Sequence, residues 1–111
     1  MPTIYMVQGD TLPVLTVTLM HSDGVTPYVL TGATVTFTMK DATTGNVLVN
    51  AKACTFDGTS GADGVVIYTW QTGDTVTATT CNCEFQVTFV TGQILTFPAI
   101  QNDLKVVFRP D

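Results

Sequence analysis

The chain is predicted to be all-β: a sandwich of antiparallel sheets built from roughly seven to nine short strands. Three observations lead there. The first is strict alternation. In Val29–Lys40, Val35, Phe37 and Met39 oppose Thr34, Thr36 and Thr38, and in Cys81–Phe89 five apolar positions oppose Asn82, Glu84, Gln86 and Thr88. A period of two marks a strand with one buried and one wet face. The second is composition: threonine occurs 22 times, charged residues make up only 12% of the chain, and 45% is hydrophobic. Thr is β-branched and suits a hydrated pleated face. The third is spacing. Gly, Pro, Asn and Asp recur at short intervals, and no stretch holds a 3.6-residue period.

The strands follow in order. Thr3–Gln8 comes first and Gly9-Asp10 breaks it. Val14–Met20 follows Pro13, with Leu15, Val17 and Leu19 inward. HSDGVTP is turn chemistry. Tyr28–Leu30 is a short extended piece, and Thr31-Gly32 turns the chain into Ala33–Lys40. DATTGN is a hairpin connection in which Gly45-Asn46 suits positive φ. Val47–Ala51 follows and continues past a kink towards Phe56. DGTSGADG is a loop. Gly64–Trp70 sets Val66, Tyr68 and Trp70 on one face. Gln71–Thr80 is a polar link with room for a turn of helix. Cys81–Val90 is the longest strand. A tight hairpin at Thr91-Gly92-Gln93 leads into Ile94–Phe97, which Pro98 ends because it has no amide to give a ladder. Leu104–Arg109 is last, with Leu104, Val106 and Phe108 on one side.

The length of 111 residues fits one domain spanning 1–111. A chain of this size buries about two-thirds of its unfolded surface and needs neither disulfide nor metal to fold. Net charge is −5, and the cations are Lys40, Lys52, Lys105 and Arg109 alone. That excludes a phosphate-tracking basic stripe, hence nucleic acid, and an anionic membrane surface. No apolar run is long enough to span a bilayer, and the first residues lack a signal-peptide pattern. Synthesis in a cytoplasm is expected.

Chemistry-bearing residues are sparse. The three cysteines, Cys54, Cys81 and Cys83, read as buried reduced thiols. Cys81 and Cys83, two apart along a strand, are poorly placed for a mutual bridge, near or beyond the usual Cα limit of about 7 Å, while Cys54 has room to approach either across a sheet. Those thiols with His21 would number four ligands, but the spacing matches no zinc pattern. His21 sits beside Ser22 and Asp23 in a turn, not in a triad. Serine occurs only at 22 and 60, neither in a nucleophile motif. Glu84 is the lone glutamate. Asp57 and Asp63 precede glycines and read as turn residues, with calcium as the alternative. The expectation is a protein without catalytic residues, cofactor or metal.

The same reading assigns a surface. Thr34, Thr36 and Thr38 form a face that meets a neighbour without desolvating charge. Trp70 and Tyr68 belong to the core, whereas Tyr5 and Tyr28, in edge-like segments, are contact aromatics. Thr3 and Ile4 belong to an N-terminal stretch, 1–8, suited to adding a strand to a neighbour's edge. The predicted interface is therefore Thr3, Ile4, Tyr5, Tyr28, Thr34, Thr36 and Thr38.

Five stretches in this order, Gln8–Leu19, Leu30–Met39, Asp41–Val47, Gly64–Trp70 and Glu84–Pro98, resemble the N-terminal domain of phage baseplate upper proteins, a module also found alone in small virion proteins. The resemblance covers most of the chain and rests on hydrophobic pattern and turn residues. It implies an immunoglobulin-like β-sandwich that attaches one bacteriophage virion component to another. Its partners would be capsid, tail, neck or baseplate proteins, and it would be present in many copies or as a homo-oligomer. With nothing after Asp111 to form a receptor-binding head, the expectation narrows to the attachment module, and capsid decoration joins the baseplate and tail as its setting. The alternative is an adhesin-like module that binds glycans on the host surface.

Overall fold

The computed structural model describes residues 3–20, 26–56, 61–98 and 104–110. They form nine strands: β1 (Thr3–Val7), β2 (Leu15–Thr18), β3 (Thr34–Asp41), β4 (Val47–Ala53), β5 (Thr55–Phe56), β6 (Val65–Tyr68), β7 (Thr80–Thr88), β8 (Ile94–Phe97) and β9 (Lys105–Arg109). One sheet has six strands in the order β1-β9-β7-β3-β4, with β8 also on β7; the other has three, β2-β6-β5. The described residues contain no helix.

The alternating residues fill the space between the sheets. Val35, Phe37 and Met39 of β3, Cys81, Cys83, Phe85 and Val87 of β7, and Val106 and Phe108 of β9 are buried from one sheet. Leu15, Val17, Val66 and Tyr68 meet them from the other. Phe37 is the hub. Its ring stacks on Tyr68 across the sandwich at 4.5 Å, tilts against Phe85 at 5.1 Å and takes the edge of Trp70 at 5.9 Å. Trp70 in turn meets Phe108 edge-on at 5.7 Å and donates its indole N–H to the Pro13 carbonyl at 3.2 Å. Each such ring removes about 2–3 kcal/mol worth of apolar surface from water, and offset or edge-on pairs add to that.

Several expectations need correction. The fold is mixed, not wholly antiparallel, because β1 runs parallel to β9 with Tyr5 beside Val107 and Met6 beside Phe108. Tyr28–Leu30 is no strand; only an isolated bridge, Met20 to Pro27, lies next to it. The link 71–80 holds turns and no helix turn. The kink expected after Ala51 is followed by a change of sheet at Cys54: β4 pairs with β3 as far as Ala53, and two residues later β5 pairs with β6. Ala51 takes φ 48° inside β4, where its pairing with β3 shifts register. Cys54 is half-buried rather than buried, and all three thiols are free. His21, Ser22, Asp57 and Ser60 lie outside the described residues.

One end is closed by backbone contact. Leu19 N–H donates to Gly64 O and Tyr28 N–H to Leu19 O, at 2.9 and 2.8 Å. Gly64 sits at φ +75°, and a Cβ there would lie 2.8 Å from Tyr28 O. Only glycine meets both conditions.

Candidate interaction surface

The register of the larger sheet decides what its outer face presents. Thr34 lies opposite Thr88, Thr36 opposite Gln86, Thr38 opposite Glu84 and Lys40 opposite Asn82. On the far side of β7, Ile94 faces Thr88 and Thr96 faces Gln86, while Lys105 faces Asn82 and Val107 faces Thr80. β1 then sets Thr3 beside Lys105 and Tyr5 beside Val107. Partners in register share a face, so all these side chains point away from the core. The result is a threonine-rich surface five strands wide, with Lys40, Glu84 and Lys105 as the charges among these partners.

Five of the seven predicted contact residues, Thr3, Tyr5, Thr34, Thr36 and Thr38, come together on this surface. Tyr5 is 75% exposed. Ile4 does not join them: it alternates inward and packs against the core. Tyr28 does not either. It is half-buried, with its ring 6.5 Å from Phe89 just past the end of β7, whereas Tyr5 lies level with Thr80 at its start. The two tyrosines are separated by most of the length of the longest strand.

Two shallow depressions lie on or beside this surface among the described residues. One, of about 190 Å³, lies among Thr38, Lys40, Asp41, Asn82 and Glu84. The Asn82 side-chain oxygen is enclosed beside it without a hydrogen-bond partner among the described residues. At its rim Asp41 is 9% exposed and orders the β3–β4 turn. Its Oδ1 accepts the amides of Thr43 at 2.8 Å and Thr44 at 3.3 Å and the Thr79 hydroxyl at 3.2 Å. The Thr43 amide above all, helped by Thr44 and Thr79, holds this carboxyl below the ordinary aspartate value against the opposing pull of burial. The second depression, of about 220 Å³, runs beside β1 between Tyr5, Val7, Asp10, Leu12, Pro13 and Arg109.

The remaining polar groups are committed to structure. Asp63 caps its own loop by accepting the Val65 amide at 3.1 Å. Among the described residues no three His, Cys, Asp or Glu side chains converge as metal ligands. Burial pushes the Cys81 thiol up to about 11, helped by the Asp41 charge, and the Cys54 thiol up to about 12. Burial also raises Cys83. High thiol values disfavour the nucleophilic thiolate. Sequence reasoning missed a buried carboxylate, Asp74. It accepts from Tyr68, Gln71 and Lys52 and is 5% exposed. A buried tyrosine hydroxyl requires a partner, and that requirement was the available signal.

No protein-family model, curated protein or solved structure matches the chain.

Proposed function

We propose that this chain is a non-enzymatic structural protein of a bacteriophage particle, an immunoglobulin-like module that attaches to other virion proteins. The strand order supports the immunoglobulin-like reading. β2-β6-β5 has the B-E-D order, and β9-β7-β3-β4 has the G-F-C-C′ order of that fold. The phage setting draws its support from the resemblance of the five sequence stretches to baseplate upper proteins.

The observation that carries the attachment reading is the outer face of the six-stranded sheet. Its central row is Thr34, Thr36 and Thr38, flanked by Thr88, Gln86, Thr96 and Ile94. Burying hydroxyls and methyls against a matching surface costs far less desolvation than burying charges. A standard interface covers roughly 800 Å² on each partner, and a face five strands wide supplies that. Capsid, neck, tail and baseplate all offer such a partner, and many copies per particle fit the small size of the module.

The test is direct. Mass spectrometry of purified particles from the phage that encodes this chain is expected to detect it, and a density map to put this sheet face against a neighbouring virion protein. A paired Thr36→Lys and Thr38→Lys variant should fold normally and be depleted from particles. Absence of the chain from clean particles overturns the virion reading; undiminished incorporation of the variant overturns the choice of face.

A further inference from the structure

The geometry points to β1 as the seat of a two-fold contact between copies of this chain, formed by antiparallel pairing of β1 with its own counterpart. This goes beyond the virion reading and stands without it.

The edges of the two sheets differ in how they are protected. An open strand edge invites another strand unless something blunts it. β4 is blunted: its pairing with β3 shifts register on either side of Met39, Ala51 takes φ 48°, and Lys52 adds charge. β2 and β8 have four residues and β5 has two. β1 has five residues, TIYMV, in unbroken register with β9, and contains no proline, glycine, bulge or charge.

Its outward backbone groups can be assigned. Gln8 N–H donates to Arg109 O at 2.8 Å, so the even-numbered residues bond towards β9. Alternation then turns the N–H and C=O of Thr3, Tyr5 and Val7 to the open side, where the Val7 carbonyl already accepts the Asp10 amide at 3.1 Å. Tyr5 is the midpoint of the strand. A two-fold axis there pairs Tyr5 with Tyr5 of the second copy, and Thr3 with Val7 in both directions. All of these positions carry outward-facing backbone groups, and the Val7 carbonyl, with one lone pair on the Asp10 amide, keeps its second for Thr3 of the other copy, so a single symmetric register serves the edge.

Charge fits a second copy. A strand meeting itself sets each charged residue near its own kind, and β1 has none. The groove beside Val7, where the end of the other copy's strand would arrive, holds one acid and one base, Asp10 and Arg109. It also holds Leu12, 72% exposed, next to Tyr5 at 75%. Two large apolar side chains so exposed beside an open edge are the features a contact would cover. One strand and one groove lie at the small end of specific interfaces, which sets the affinity in the micromolar range rather than tighter.

Sedimentation equilibrium of the purified chain tests this without any particle. A monomer–dimer equilibrium is expected between about 10 μM and 1 mM. Tyr5→Lys should weaken it by about tenfold or more, since it opposes two ammonium groups at the axis. Thr36→Lys, on the broad face, should leave it unchanged. Tyr5→Cys should form a covalent dimer under mild oxidation, because paired Cα atoms about 5.5 Å apart lie within disulfide reach. Circular dichroism melts of each variant check that it folds. A chain that stays monomeric throughout that range, or a dimer that Tyr5→Lys leaves intact, overturns the proposal. Neither result bears on whether the chain is found in particles.

Discussion

The hydroxyl of Tyr68 donates a 2.5 Å hydrogen bond to Oδ2 of Asp74 beneath the aromatic cluster, joining the last residue of β6 to the turn that precedes β7. The same oxygen accepts the Gln71 amide at 2.8 Å, and Oδ1 accepts from the Lys52 ammonium at 3.3 Å. One carboxylate thus ties β4, β6 and the 71–80 link together.

Replacing that carboxylate leaves the buried Tyr68 hydroxyl without a partner and takes the acceptor from the Gln71 amide. Asp74→Ala is expected to cost about 3 kcal/mol in urea unfolding, and Tyr68→Phe about 1–2 kcal/mol, since it deletes one bond but strands no donor. Lys52→Ala should cost under about 1 kcal/mol, because the lysine side chain is 46% exposed and the pair is screened. A Lys52→Ala loss as large as that of Asp74→Ala would mean that charge, not hydrogen bonding, dominates here.

The two faces of the large sheet should respond oppositely to truncation. Phe85→Ala empties a site in contact with Phe37 and should destabilise by about 3–5 kcal/mol. Thr36→Ala, opposite Gln86 on the outer face, should change stability by under about 0.5 kcal/mol while weakening assembly. Similar losses for both variants in chemical denaturation would contradict this assignment of the faces.

These faces are the part of the fold that periodicity makes legible. Val35, Phe37, Phe85 and Val87 are buried because a period of two leaves one consistent inside. Direction and partnership are not carried by that period. TIYMV fits a parallel neighbour as well as an antiparallel one, so the β1–β9 pairing could not be read from it. The change of sheet at Cys54 has no residue-type signal, and the register shift before it sets a non-glycine residue, Ala51, at positive φ. At the surface, Thr3, Tyr5 and the β3 threonines were legible as outward positions. Ile4 was not, because an edge strand with one covered face takes its parity from its neighbour, Val106. Tyr28 reads as a contact aromatic from its edge-like segment, yet its backbone is bonded to Leu19 and its ring rests by Phe89.

In acid, Asp41 should be a principal site of weakening. Its folded-state value is depressed, chiefly by the Thr43 amide. A depressed carboxylate contributes stability that is present above the unfolded value of about 3.9 and is lost as pH falls through the folded one. Urea titrations below pH 5 should therefore show the wild type losing its advantage over Asp41→Asn as pH drops. An advantage that stayed constant with pH would show that Asp41 acts through its shape and not its charge.

At high pH the sign reverses. Burial raises Tyr68, with the Asp74 hydrogen bond adding to it; burial likewise raises Cys83, brings Cys81 to about 11 and brings Cys54 to about 12. A group with a raised folded-state value contributes stability that is complete below its unfolded value and disappears as pH rises through the folded one. The unfolded values are about 8.5 for Cys and about 10 for Tyr. Unfolding free energy should therefore begin to fall near pH 8.5 and keep falling past pH 11, as the unfolded chain sheds protons that the core retains. Cys83→Ala removes one of those groups, so its stability curve should be flatter above pH 9 although it starts lower from the lost packing. Thiol reagents provide an independent reading: at pH 8 the native protein should react slowly, and all three cysteines rapidly once urea has unfolded it. Fast labelling of Cys81 or Cys83 in the folded protein would mean that the sandwich opens readily around β7, and the alkaline slope would then report opening rather than proton retention.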